Sequence, residues 1–361
     1  MRSQPDFNRF LDCIHHKEVD RVPLCELLID YSHQSRFLGR KVTANDMVSQ
    51  IEFWSRAGYD FIPITVGMLS PGKVTEDSPI VRAIKETFLK DSPDAANERS
   101  WNIELGDKSF ISNREAFERF PWDVLKQNLD FGALEQAQSL VPEGMKIIAM
   151  SGKIFTLAWM LMGFNHFALS LITNENLVGD VFKKLAEIQL SALDRILSLS
   201  NVGAVWVVDD VAFGTGPMIS PEALNDHVFT WYAEVAKKCH ARGAPLIMHS
   251  DGDMKKLIPS LIDMGLDALH PIDPNCMDIR AIKKEYGKDL CLIGNVPNEL
   301  LRSGTPEEVR TTVEGLLKDL GPGGGYCLGS GNSVPDWARF ENFMAMREAC
   351  LQYGGYPISI R

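Results

Sequence analysis

The sequence predicts a single α/β domain, a (β/α)8 TIM barrel spanning residues 1–361. Three observations lead there. Short apolar runs alternate with amphipathic helical patterns, and the unit recurs eight times. Most runs are apolar along their whole length, as strands covered on both faces are. No early run is followed by GxGxxG, the phosphate-binding turn common in open doubly wound sheets. The glycines of "GPGGGYCLGSG", near residue 325, precede and end a strand instead of opening a helix.

In chain order, a helix at 6–16 comes first, placed to close the bottom of the barrel or to pack on a neighbour. Strands follow at 21–29, 59–67, 145–152, 204–210, 244–252, 266–273, 290–297 and 325–332. Helical patterns between them carry end signals: "PEALNDHVFTWYAEVAKKCHARG" opens on Ser220-Pro221 and closes on Gly243, and "TPEEVRTTVEGLLKDLG" opens on Thr305-Pro306 and closes on Gly321. The regularity breaks between the second and third strands, at about 68–143, an insertion of the kind that forms a lid or an interface.

Composition narrows the function classes. A net charge of −11, from 48 acidic and 37 basic residues without a basic cluster, argues against nucleic acid as a partner. No apolar run reaches membrane-spanning length, and "MRSQPDFNRFLDCIHH" lacks the apolar core of a secretory signal, so a cytoplasmic protein with no membrane partner is expected. Seven cysteines with no CxxC pair read as reduced, mostly buried thiols.

In a barrel the carboxyl ends of the strands converge on one mouth, and these ends carry polar groups. They are Glu26, Thr65, Asp209 and Asp210, His249 and Asp251, His270 and Asp273, Asn295, Ser330 and Asn332. Residues two apart on a strand share a face, so His249 and Asp251 can reach one cavity while Ser250 points away. Such a pair can hold a metal or move a proton, with Asp209 or Asp210 tuning it. The competing reading is structural: Asp251-Gly252 suits a turn, Asp253 suits a helix cap, and a strand-end His270 can be a packing residue. Alternation lets only one of Asp209 and Asp210 face the cavity.

"HKEVDRVPL", "DDVAFGTGPMISPEAL", "HSDGDMKKLIPSLIDMGLDALHPID" and "GGGYCLGSGNSVP" together resemble the uroporphyrinogen decarboxylase superfamily, along essentially the whole chain. That resemblance implies a (β/α)8 barrel and one of two activities: decarboxylation of uroporphyrinogen, or methyl transfer to corrinoid proteins in one-carbon metabolism. True decarboxylases carry an arginine-bearing segment similar to "RQAGRY" after the first strand. Here the place reads "LIDYSHQSRFLGR", with Arg36 and Arg40 nearby, and an acidic mouth repels a polycarboxylate. The methyltransferase branch holds zinc through His-x-Cys after the fifth strand and a further Cys after the eighth. Here His249 and Asp251 stand at the first motif and Asn332 at the second, with Cys327 on the strand before it. A histidine and carboxylate set is harder than thiolates and suits an oxygen-bearing substrate.

The resemblance therefore implies a methyltransferase that moves a methyl group from a small, methoxylated donor to the cobalt of a separate corrinoid protein, an O-demethylation. His249, Asp251, Asp210 and His270 are the expected catalytic residues. His249 and Asp251 are the expected ligands of a metal, zinc by family pattern, and Glu26, Thr65, Asp209, Asn295 and Asn332 are expected to bind substrate. A homodimer stays open. The alternatives are a cobalt-free decarboxylase of the same superfamily and a non-catalytic ligand-binding barrel.

Overall fold

The computed structural model describes residues 4–67, 79–84, 86–87 and 109–360. The strands are β1 (Phe61–Thr65), β2 (Lys146–Ser151), β3 (Val202–Val208), β4 (Ala212–Phe213), β5 (Gly216–Pro217), β6 (Leu246–His249), β7 (Ala268–His270), β8 (Cys291–Ile293) and β9 (Tyr326–Cys327). Seven of them form one curled parallel sheet in the order β1-β2-β3-β6-β7-β8-β9, so strands consecutive in the sheet's chain order are neighbours in space. Among the described residues β4 and β5 pair only with each other, as a small antiparallel hairpin that the sequence pattern does not announce.

The first predicted strand, 21–29, differs from expectation. It lies beside β9 through isolated parallel bridges, Leu24 to Leu328 and Ile29 to Val334, and builds no continuous ladder. Among the described residues no β-bridge joins it to β1, so the hydrogen-bonded sheet stays open at that seam. Pro63 faces this seam from β1 and lacks the donor that a continuous ladder needs there, while Pro23, whose carbonyl accepts from the Leu328 amide, lacks the donor that would extend the pairing with β9.

Side chains nevertheless meet from all sides. One buried apolar cluster takes Cys25 from the 21–29 segment, Phe61 from β1, Ile148 and Met150 from β2, and Ala204 and Trp206 from β3. It continues with Ile247, Ala268, Cys291, Ile293 and Cys327 from β6 to β9. These are alternate residues of their strands, the pattern of an interior face. The other face of each strand, such as Val205 and Val207 on β3 or Met248 on β6, belongs to a second, larger cluster shared with helices such as Glu175–Leu197.

The amino-terminal helix is Phe7–Ile14, capped by Asp6, whose side chain accepts from the Asn8 amide. Phe10, Cys13 and Ile14 enter the interior cluster, and the Phe7 amide bonds Gly144 O just ahead of β2, so the helix floors the sheet at the amino ends of its strands. The 305–321 helix forms at Pro306–Leu320 with the capping box of Thr305 and Glu308. The helix expected across 221–242 is interrupted: Pro221–Leu224 passes into a π-helical turn, Asn225–Phe229, before Thr230–His240. His227 in that turn stacks on Phe182, ring centroids 5.8 Å apart.

Of the insertion, residues 68–78, 85 and 88–108 lie outside the described residues, including most of the stretch expected as a lid or interface. Its described part holds helices Arg114–Arg119, Trp122–Gln127 and Gly132–Gln138 ahead of β2. Among the described residues, no single helix is long and apolar enough to cross a membrane; the adjacent apolar helices Ile154–Met162 and Phe164–Thr173 meet at 97°.

Candidate functional site at the carboxyl ends of the strands

Strand alternation and register build the site. His249 continues the interior face of Ile247, and His270 continues that of Ala268. In the parallel ladder Val208 pairs with His249 and His249 with His270, which brings the two imidazoles level. Their Nδ1 atoms stand 2.9 Å apart in a hydrogen bond, and both rings are buried. Below them Trp206 meets His270 edge to face, centroids 5.0 Å apart.

The same parity separates the two adjacent acids. Asp210 follows Trp206 and Val208 on the interior face and is solvent-exposed, whereas Asp209 falls on the outer face with Val205 and Val207 and is fully buried. Asp209 accepts four hydrogen bonds, from the amides of Phe155 and Thr156, the Thr156 hydroxyl and the Tyr232 hydroxyl, at 2.6–2.8 Å. Burial pushes its carboxyl pKa up while those donors pull it down. Its place is the start of helix Ile154–Met162, where it caps unpaired amides, and not the substrate position expected of it.

Asp210, His249 and Asp251 converge. One ligand atom from each lies within 4.8 Å of the others. His249 Nε2 is 3.8 Å from Asp210 Oδ1 and 3.9 Å from Asp251 Oδ1. These separations exceed hydrogen-bond reach, but ligands held about 2 Å from one cation stand roughly 3–4 Å apart. The Asp251 amide donates to Asp210 Oδ1, and Asn332 Nδ2 reaches both Asp251 oxygens at 3.0 and 2.7 Å. Burial raises the Asp251 pKa, and the Asp210 and Asp273 carboxylates add to it against His249 and Asn332. The donor set, one imidazole and two carboxylates with room at the open side, fits a hard or borderline divalent cation.

The turn reading of Asp251-Gly252 is also present, and the two do not conflict. Gly252 has φ +94°, and a Cβ there would stand 2.7 Å from the carbonyl oxygens of Ala212 and Phe213. The Asp253 amide bonds Phe213 O, and Ser250 Oγ accepts from Val211 N. The β4–β5 hairpin is thus seated on this turn, and the turn aims Asp251.

The other expected residues divide. Asn295 lies beyond the end of β8, and its amide nitrogen is spent on Ile272 O at 2.7 Å. It borders a cavity of about 620 Å³ beside helix Pro306–Leu320, which Asp210, His249 and Asp251 do not line. Thr65 ends β1 on the interior parity of Phe61, in register with Met150, and is half-buried. Glu26 does not reach the mouth. Its neighbour Cys25 takes the interior face, and Glu26 turns outward, fully buried, accepting from the Ser330 amide and hydroxyl at 2.7 and 2.6 Å.

Burial pushes the Glu26 pKa up to about 8 against the pull of Ser330. A proton held more tightly in the folded state stabilises fully below the unfolded value and is lost as pH rises through the folded one. Wild-type stability should therefore fall between about pH 4.5 and 8 through this group, and Glu26→Gln should flatten the decline, measured as urea midpoints across that range.

Residues 119–353 match the model of the uroporphyrinogen decarboxylase (URO-D) family. The chain belongs to that family. It is 25% identical over 246 residues to a uroporphyrinogen decarboxylase of Neisseria meningitidis serogroup C, covering 64% of this chain and 67% of the relative. It is 23% identical over 223 residues to a methylated-thiol–coenzyme M methyltransferase of Methanosarcina mazei, covering 61% of this chain and 57% of the relative. In fold it is similar to a solved methyltransferase from Methanosarcina mazei, with TM-score 0.65, 14% identity, and 96% and 98% of the two chains covered. Family membership thus brings both decarboxylases and methyltransferases into view. The two arginines nearest the place of the decarboxylase segment are turned to outer helices: Arg36 pairs with Glu341 and lies over the Phe340 ring, and Arg40 pairs with Glu52.

Proposed function

We propose that this chain is a methyltransferase that takes a methyl group from the oxygen of a small methoxylated compound and gives it to the cobalt of a corrinoid carried by a separate protein. The observation that carries the reading is the grouping of His249 Nε2 with Asp210 and Asp251 at cation-sharing distances, on the interior face where the strands end. The completed (β/α)8 barrel, with 21–29 as its eighth stave, and a cytoplasmic location belong to the same proposal.

Breaking the methyl–oxygen bond leaves the electron pair on oxygen, and an alkoxide or phenoxide is a poor leaving group unless its charge is met. His249 Nε2, Asp210 and Asp251 would hold a divalent cation, zinc being the first candidate, and that cation supplies Lewis-acid stabilisation of the departing oxygen. The chain's own residues do the rest: Asn332 holds both Asp251 oxygens, the Asp251 amide holds Asp210, and the Gly252 turn fixes the loop that carries them. Thr65, on the interior parity of β1, and Asn295, beyond the end of β8, complete the substrate contacts of the proposal.

The test pairs two measurements. Elemental analysis and zinc titration should give about one ion per chain, and a panel of methoxylated compounds should include one that methylates a reduced corrinoid protein. In parallel, anaerobic uroporphyrinogen should be left undecarboxylated, because Arg36 and Arg40 are engaged elsewhere and the site is acidic. Robust formation of coproporphyrinogen would overturn the reading in favour of a decarboxylase. A chain that binds no metal and transfers no methyl group from any donor would leave a ligand-binding barrel.

A further inference from the structure

The bond between His249 and His270 fixes more than a contact. Two imidazole Nδ1 atoms at 2.9 Å share one proton, so one ring donates and the other accepts. If His270 donated, His249 would carry its own proton on Nε2, where the carboxylate oxygens of Asp210 and Asp251 stand at 3.8 and 3.9 Å, too far to accept it well. If His249 donates, its Nε2 lone pair faces those carboxylates, the form in which an imidazole receives a positive species. Whether that species is a metal ion or a proton, Nδ1 of His249 remains the donor and Nδ1 of His270 the acceptor.

His270 is suited to be the permanent acceptor. It is fully buried, with its Nδ1 against His249 Nδ1 and its ring packed on Trp206. With Nδ1 accepting, its proton lies on Nε2, a buried atom with no oxygen or nitrogen partner among the described residues. The ring meets Trp206 edge to face at 90°, an arrangement that lets an N–H rest on an aromatic face.

We propose that His270 is a positioning residue: it accepts the Nδ1 proton of His249 and thereby holds the Nε2 lone pair of His249 toward Asp210 and Asp251. The consequence for chemistry rests on the cation site proposed above; the proton arrangement itself does not. His270 then touches neither substrate nor metal and acts through His249 alone, as outer-shell partners of metal-binding histidines do.

Long-range ¹H–¹⁵N spectra of the histidine rings in metal-free, full-length protein at neutral pH read the arrangement directly. The expected result is His249 protonated on Nδ1 and His270 protonated on Nε2. His249 with a bare Nδ1 and a proton on Nε2 would overturn the proposal. Zinc titration supplies the second readout. His270→Phe should weaken zinc binding about 10- to 100-fold, while His270→Gln, whose amide oxygen can accept the same proton, should stay close to wild type. A folded His270→Phe protein, verified by its thermal melt, that binds zinc as wild type does would also overturn it. If wild type binds no zinc, the cation reading falls while the spectra still decide the role of His270.

Discussion

His249→Ala and Asp251→Ala should each cut methyl transfer by about 10²- to 10⁴-fold, the range that a positioned acid, base or charge-stabilising group supplies. The double variant should lose little more than the worse single one, because the groups share one task and fail together. Asp251 stands where the strand ends, outside the apolar layers, and Asp251→Ala should leave the melting temperature nearly unchanged, whereas His249→Ala strips the buried Nδ1 of His270 of its partner and should lower it by a few degrees. Asp251→Asn separates the two readings of the turn. An amide keeps much of the hydrogen bonding but lacks the charge a cation needs, so the proposed site predicts an Asn variant almost as impaired as Ala. An Asp251→Asn enzyme with near wild-type turnover and zinc affinity would return the residue to the turn alone. Steady-state rates, zinc titrations and melts on the two single variants, the double variant and Asp251→Asn decide between them.

The second large effect falls on stability. Asp209→Ala removes an acceptor that four buried donors share, and the Phe155 and Thr156 amides would be left without it inside the fold. Leaving buried donors unpaired costs about 1–3 kcal/mol each, so a total loss of about 3 kcal/mol or more is expected, seen as a melt lowered by several degrees. Asp210→Ala, one residue on, should do the opposite: turnover and zinc affinity collapse while the melt stays near wild type, since its carboxylate is exposed and accepts from the amide of Asp251 at the loop surface. Equal losses of stability from the two substitutions would contradict the division of labour drawn from strand parity.

Parity is also the measure of what could be read from sequence. The alternation of apolar runs and helices is a local signal, and it placed seven strands and the His249–Asp251 pair. It also held the answer for two residues assigned to the mouth. Counting by twos from Trp206 gives Asp210 to the interior and Asp209 to the helices, and the neighbour of an interior Cys25 has to turn outward, as Glu26 does. What no single-strand pattern contains is the register between strands. The meeting of His249 with His270, and of Asn332 with Asp251 across 81 residues of chain, depends on how far each strand slides against the next. The β4–β5 hairpin and the π turn at Asn225–Phe229 escaped for a related reason: both lie against partners remote in sequence, the Gly252 turn for one and Phe182 for the other. Pro23 was visible in the sequence, and it marks where the ladder of the first stave breaks.

The floor of the sheet has a bearing on how the chain reaches this structure. Cys13, in the opening helix, bonds the Tyr326 carbonyl 313 residues later, and Glu26 meets Ser330 across 304. One segment of the chain is thus completed by another made more than 300 residues later. Such remote pairings close slowly, because loop entropy has to be lost before the contact returns anything. Until residues near 330 are made, the interior sides of Phe10, Cys13 and Cys25 have no partners on β9, and a nascent or truncated chain ending earlier carries an exposed apolar floor prone to association. Folding of this barrel-like sheet is in that sense a late event, sealed where two remote stretches of sequence come together.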